Sequence, residues 1–552
     1  MVVGFRKRFS FWFILAVCSS WFGLSCGSGS GEVVNNNLGG GFSLGQVVVL
    51  NLGSSNQATV TFGALSGGEV FVFGLSNADV NAGSLSWTLS GATSADTSLE
   101  QDMAFSLHEA DATASTLEDA NPDLTPSFHE TLRNREEIIA AVTTSQNQGD
   151  ASFAVGIDPT VTNCGAGPSI DSSISIKIFT SLSGSSTATR SLTVKKVTSN
   201  AVFAVDSLVT SSIISDAELD ELFTAFDNKI ASEKSVFGDW DHASECRFTV
   251  AMSPVVNCLG ASGGGFVTGY FYGGDQYDDS QIAASNERSI IYIASPNPSG
   301  DLYCSGISLS KSFYLSNIGP MVMPHEFQHL INFNQRVFFD GHSSEASWLN
   351  EAMSHFAEDM DMSGSSYSFA NVSEENPSRV SLYLDSINSV AFTGGTSLTQ
   401  RGGSYLFLRY LYEQANNGNI SGVSTGDAVL SGLINGANTG TDNIADVTGE
   451  GFQDLLRDFC SAVYLDGLGL SSDNNYDFSG IDLRGSQNDN RGTVLSGPAV
   501  TSYSGSSTSG SVNSPSCLFI EMTGTQVSSA GSEVAISGPS GAAASGVVIR
   551  AN

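Results

Sequence analysis

The chain has 552 residues, more than one ordinary domain needs, and 41% of them are apolar, enough for a sizeable core. Acidic residues outnumber basic ones 56 to 22, for a formal net charge of -34, yet charged residues make up only 14% of the whole. So few Lys and Arg exclude a phosphate-neutralising surface and nucleic-acid binding with it. The negative charge reads as solubility outside a cell rather than as an acidic docking feature.

Arg6-Lys7-Arg8 precedes an apolar run from Phe9 to Leu24, and Gly23-Leu24-Ser25-Cys26 follows. This is the order of a signal peptide over residues 1–25. It resembles a bacterial lipoprotein signal, cut before a lipid-bearing Cys26. Leu24 lies two residues before that Cys instead of the usual three, so cleavage without lipidation stands as the alternative. Residues 26–44 are rich in Gly, Ser and Asn and read as a flexible tether. No later stretch is long and apolar enough to cross a bilayer, so the only membrane link expected is the lipid at Cys26. The expected location is the bacterial cell surface or outer membrane, otherwise secretion.

From residue 45 to about 200 short β-rich runs alternate with Gly/Ser/Asn turns: Val47 to Leu50, Thr59 to Phe62, Glu69 to Phe73 and Ser173 to Phe179. That spacing predicts an N-terminal β-sandwich-like domain. Glu118 to Arg135 reads as a loop or short helix. His108 and His129 stand isolated and read as surface residues.

The character changes over residues 201–470. Ser215-Asp216-Ala217-Glu218 has the form of a capping box, and Leu219, Leu222, Phe223, Phe226 and Ile230 follow at helical spacing. Strands are expected at Arg247 to Met252 and Ser289 to Ala294. Gly263 to Tyr272, between them, reads as a turn and an exposed strand edge. Helical patterns dominate from 320 to 465. Tyr405 to Glu413 and Phe452 to Tyr464 are the clearest, the latter stopped by Gly467. The class is α+β, strands first and helices after. Residues 471–552 return to short strands, Cys517 to Met522 and Glu533 to Ile536, and predict a small C-terminal β module. Asp473 to Gly492 fits no calcium-loop spacing and reads as a solvated linker.

Apart from Cys18 and Cys26, six cysteines remain, an even number suited to an exported protein. None forms a Cys-x-x-Cys pair, which argues against a cysteine zinc site. Two of Cys246, Cys258 and Cys304 are expected to pair.

The chemistry concentrates in His325-Glu326-Phe327-Gln328-His329. On a helix, His325 and His329 project from one face one turn apart and can bind one Zn²⁺. Glu326 then lies beside a zinc-activated water, placed to act as general base. Pro320 and Pro324 place the helix start just ahead of His325. A catalytic zinc needs a third protein ligand. A third His six residues on is ruled out, because that position is Gln335. Downstream, Trp348-Leu349-Asn350-Glu351-Ala352-Met353-Ser354-His355-Phe356-Ala357-Glu358 reads as a second helix with Glu351, His355 and Glu358 on one face. His342, Glu345, His355 and Glu358 compete with Glu351 for the third position.

Asn350-Glu351-Ala352 after such a His-Glu-x-x-His helix resembles the gluzincin, thermolysin-like peptidases. The combination resembles most the hyicolysin family of bacterial zinc metallopeptidases. It is carried by residues 325–333, by Trp348 to Glu351 with Ser354-His355 and Ala357-Glu358, and in support by Ser253 to Asn257, Gly269 to Tyr272 and Tyr405 to Glu413. It spans roughly residues 200 to 470 and neither flank. The resemblance implies a zincin-like domain hydrolysing peptide bonds in protein or peptide substrates. His325, His329 and Glu351 would bind zinc and Glu326 would be the base. It implies too that an extended substrate adds to an exposed strand edge. The acidic residue that orients the first His in thermolysin-like sites is replaced by His355, with Glu358 as another candidate. No motif identifies the oxyanion-stabilising group, and Tyr405 is the candidate. The rival reading is a non-enzymatic surface lipoprotein, an adhesion or binding module that keeps a peptidase-like zinc site.

Overall fold

A computed structural model describes residues 34–38, 42–91, 125–146, 167–241, 243–259, 266–359, 375–487, 492–529, 532–539 and 543–552. The signal segment, Cys26 and His108 lie outside the described residues, as does Gly263 to Gly265.

The chain opens with β1 (Val34–Asn37), β2 (Val47–Val49), β3 (Gln57–Thr61), β4 (Val70–Asn77) and β5 (Ser84–Gly91), then helix α1 (Thr125–Gln146). Strands β6 (Ser173–Phe179), β7 (Thr187–Val197) and β8 (Ala201–Asp206) follow, then α2 (Asp216–Phe237), β9 (Phe248–Met252) and the short α3 (Pro254–Asn257). Next come β10 (Gly269–Phe271), β11 (Ile290–Ile293) and one helical turn, α4 (Lys311–Phe313). The helical half holds α5 (Gly319–Phe333), α6 (Ser347–Glu358), α7 (Asn376–Asp385), α8 (Leu398–Asn416), α9 (Gly426–Asn435), α10 (Gly440–Thr448) and α11 (Phe452–Leu465). The chain closes with β12 (Thr501–Ser502), β13 (Ser507–Asn513), β14 (Ser516–Thr523), α12 (Gly524–Ser529), β15 (Glu533–Ser537) and β16 (Ala544–Arg550).

The class is α+β, as expected, but the sheets cut across the expected domain boundaries. One five-stranded sheet runs β1-β3-β15-β5-β13 and another runs β12-β14-β4-β16-β2. Each therefore mixes strands from both ends of the chain. The N-terminal region and the C-terminal module are one unit, with Phe62, Phe71, Phe73, Trp87, Ile520 and Val548 in its core. The physical reason is that both segments carry half-buried strands whose apolar faces need a second layer, and each supplies the other's. β4 reads Val-Phe-Val-Phe-Gly-Leu-Ser-Asn and buries both faces, pairing antiparallel with β14 and β16 on its two edges. The expected tether at 26–44 is in part structured, because Val34–Asn37 pairs in parallel with β3. The disulfide Cys460–Cys517 ties this unit to α11.

The third sheet runs β10-β11-β9-β8-β7-β6. β6 and β7, expected in the N-terminal domain, belong here, so the boundary near 200 also falls inside a sheet. β8, Ala-Val-Phe-Ala-Val-Asp, is buried at every position and pairs in parallel with β9, the pattern of a strand covered on both faces. α2 is capped as predicted: Ser215 and Glu218 each bond the other's backbone N–H. Cys258 pairs with Cys304, two of the three central cysteines.

α5 starts at Gly319, earlier than the prolines suggested, and Pro324 lies inside it. A proline there removes one helical hydrogen bond. Burial of Met323, Phe327, Leu330 and Ile331 against the sheet and α2 offsets that loss. His325 and His329 thus sit on a helix held from beneath by the apolar core.

Candidate metal centre

Three side chains from two helices converge. His325 and His329 come from α5 and Glu351 from α6, and their ligand atoms lie within 4.8 Å of one another. Glu351 Oε2 is 3.6 Å from His325 Nε2, and Glu351 Oε1 is 3.6 Å from His329 Nε2. The rings stand at 82° with centroids 4.9 Å apart, so both Nε2 atoms point toward the carboxylate from different directions. His329 Nε2 and both Glu351 oxygens are buried without a hydrogen-bond partner. Buried polar atoms are rarely left so, and a cluster of them facing one point fits a cation. Two imidazoles and a carboxylate are donors of the type zinc takes.

The far side of each ring is held. His325 Nδ1 donates to Glu358 Oε1 at 2.9 Å. His329 Nδ1 donates to Asn350 Oδ1 at 2.9 Å, with Ser354 Oγ 3.0 Å away. Donation from Nδ1 fixes the tautomer with its lone pair on Nε2, the form a metal binds. Glu358, rather than His355, therefore orients the first His. His355 is one layer out: its Nδ1 donates to the same Glu358 Oε1 at 2.7 Å. Arg379 Nη1 donates to Glu358 Oε2 at 3.0 Å. His325, His355 and Glu358 form a second compact group, but it shares His325 with the first and uses Glu358 from the Nδ1 side. Of the other competitors, Glu345 is drawn off to Asn443 Nδ2 and the Gly440 amide. His342 belongs to neither group.

Charge in the site follows from burial and neighbours. Burial raises the Glu326 carboxyl to about 7, against the pull of His325. Its Oε2 has no hydrogen-bond partner. Burial works against charge on Glu351 too, but Arg401 together with His329, His325 and His129 overcomes it and holds that carboxyl well below the usual range; Arg401 Nη1 is 3.3 Å from Glu351 Oε2. Glu358 is likewise held well below its ordinary value, burial being overcome by Arg379 and the two histidines. Burial disfavours a charged His325, yet Glu351 and Glu358 lift it to about 9. Carboxylates that hold a proton on that ring favour any cation at the same place.

Two sequence expectations fail here. Tyr405 does not face the donors: its hydroxyl donates to Asp359 and accepts from Arg409 Nη1, inside a buried network on α8. Its place in an amphipathic pattern could not show which neighbours its hydroxyl would meet. His129 is not a surface residue. It lies on α1, 5% exposed, with Nδ1 unpartnered and 3.9 Å from Glu351 Oε1. Sequence reasoning also passed over Arg401 and gave Asn350 no role of its own. Asn350 was already inside the motif, next to Glu351, and a side-chain amide beside a ligand was the available signal.

No known family model matches the chain, and no curated protein matches it.

Proposed function

We propose that this chain is a zinc-dependent peptidase with a gluzincin-like site in a zincin-like domain, exported and held to a membrane through lipid on Cys26. One observation carries the reading: unpartnered donor atoms of His329 and Glu351 meet beside His325, with Glu326 Oε2 also unpartnered next to them. Zinc held by His325, His329 and Glu351 would supply Lewis acidity to a scissile carbonyl and lower the pKa of water. Glu326 is the proton carrier. Its carboxylate takes a proton from the attacking water and returns it to the leaving amine. Asn350 and Glu358 hold the two rings so that Nε2 of each faces the same point. Glu351 stays ionised beside Arg401.

The test is zinc content together with cleavage of a peptide library. Glu326→Gln is expected to keep zinc and lose at least ~10²-fold in turnover, the scale of losing a general base. Glu351→Ala is expected to lose zinc. Full activity in Glu326→Gln refutes the assignment, and a zinc-loaded wild type that cuts nothing favours the binding-module reading.

A further inference from the structure

β10 is the outermost strand of its sheet and runs antiparallel to β11. It lies directly on the metal-site helix: a Cβ at Gly269 would come within 2.4 Å of Val322 Cγ2 and 3.1 Å of Glu326 Cγ. The free edge of such a strand is where an extended peptide can add and reach Glu326. That edge is already taken. Arg133 Nη2 donates to the carbonyl of Phe271 at 2.7 Å, and Glu136 Oε1 accepts from the amide of Gly273 at 2.8 Å. Further along, Thr143 Oγ1 bonds the Tyr277 hydroxyl at 2.9 Å. At the other end of the helix Phe128 packs edge-on against Tyr270, centroids 5.4 Å apart.

These residues share one face of α1. His129, Arg133, Glu136, Ala140 and Thr143 are spaced four, three, four and three apart, the repeat of a single helical stripe. Beside the buried apolar residues Phe128, Leu132 and Ala140, which pack it as an ordinary helix is packed, α1 presents a cation to the backbone of β10 and an anion to the Gly273 amide just beyond it. At its start His129 reaches Glu351. A chain segment that bonds the substrate's strand and touches the metal-site carboxylate occupies the place where substrate must lie.

We infer that α1 is an internal occupant of the peptide cleft, so that this fold is a latent form in which α1 and substrate compete for the β10 edge. The inference rests on the peptidase reading above. It assigns the regulation of that site: activation requires α1 to leave, which uncovers Phe128, Leu132 and Ala140 along with its polar contacts.

The test uses the zinc-loaded full chain and a fluorescein-labelled peptide hydroxamate, followed by polarisation. The variants are Arg133→Ala/Glu136→Ala, which removes the bonds to Phe271 of β10 and to Gly273 beyond it, and Phe128→Ala, which removes the packing on Phe179 and Tyr270. If α1 is docked in about 90% of molecules, releasing it tightens the apparent affinity about 10-fold. Both variants are expected to show this, with a cooperative melt as the check on folding. Equal or weaker binding by a folded variant overturns the inference, because α1 would then build the site instead of filling it. Hydrogen exchange on wild type gives a reading that needs no variant: saturating hydroxamate should speed exchange of the α1 amides, and unchanged protection overturns the inference. Zinc content separates the two claims. Zinc present with no change in affinity or exchange refutes the role of α1 alone, while a wild type that binds no zinc refutes the peptidase reading and this inference together.

Discussion

Asn350 Oδ1 accepts a hydrogen bond from His329 Nδ1 at 2.9 Å, and the next residue in the chain, Glu351, turns its carboxylate to the other nitrogen of the same ring. Adjacent residues on α6 thus grip one imidazole from both sides. The Asn-Glu pair works as a unit because successive residues on a helix point about 100° apart, wide enough to reach around a ring.

Replacing Asn350 should loosen that grip without removing a ligand. Asn350→Ala is expected to weaken zinc binding by roughly 10- to 100-fold, the usual range for an outer partner of a metal-bound His. Asn350→Asp keeps an acceptor and should lose less. Competition against a chelating dye measures both.

Glu358 carries more than orientation. It accepts from His325, His355 and Arg379 while buried. Glu358→Ala leaves the Arg379 charge without its carboxylate, at a cost of about 3–5 kcal/mol. Urea unfolding should show this even without metal added, which distinguishes it from the Asn350 variant.

Asp275 gives a pH signature outside the metal centre. Burial raises its carboxyl from the ordinary range to about 7, although Tyr292 Oη and Asn286 Nδ2 donate to it. The folded protein therefore keeps a proton there that the unfolded chain has released. Between about pH 4 and 7 the folded state binds more protons, so this group's contribution to stability falls as pH rises, by about 1.4 kcal/mol per pH unit at most. Asp275→Asn should flatten that slope in unfolding curves taken across the window. An unchanged slope would assign the proton elsewhere.

The Cys460–Cys517 bond joins α11 to β14 across 57 residues. Closing a loop of that length removes unfolded-state entropy worth about 4 kcal/mol. Cys460→Ser/Cys517→Ser should lower stability by about that amount, read as a drop in the denaturant midpoint, with zinc content unchanged because neither residue belongs to the proposed ligand set.

The local chemistry of this protein was legible in its sequence. A four-residue His spacing on a helix can only place both rings on one face, so the convergence of His325 and His329 follows from backbone geometry. The second helix with Glu351, the capped α2 and the pairing within the central cysteines were readable for similar reasons, each depending on residues near one another in the chain. What tertiary structure decided depends on which distant surfaces meet. β1 to β5 and β12 to β16 complete each other's sheets, since strand periodicity shows that a face needs cover and not which segment covers it. Glu358 and not His355 holds the first ring, because two residues on one helical face compete and the crossing of α5 and α6 selects between them. His129 was isolated in sequence and is beside Glu351 in space, because α1 folds back across the edge of β10. Periodicity records which residues share a face; the free energy of packing whole elements together determines what that face meets.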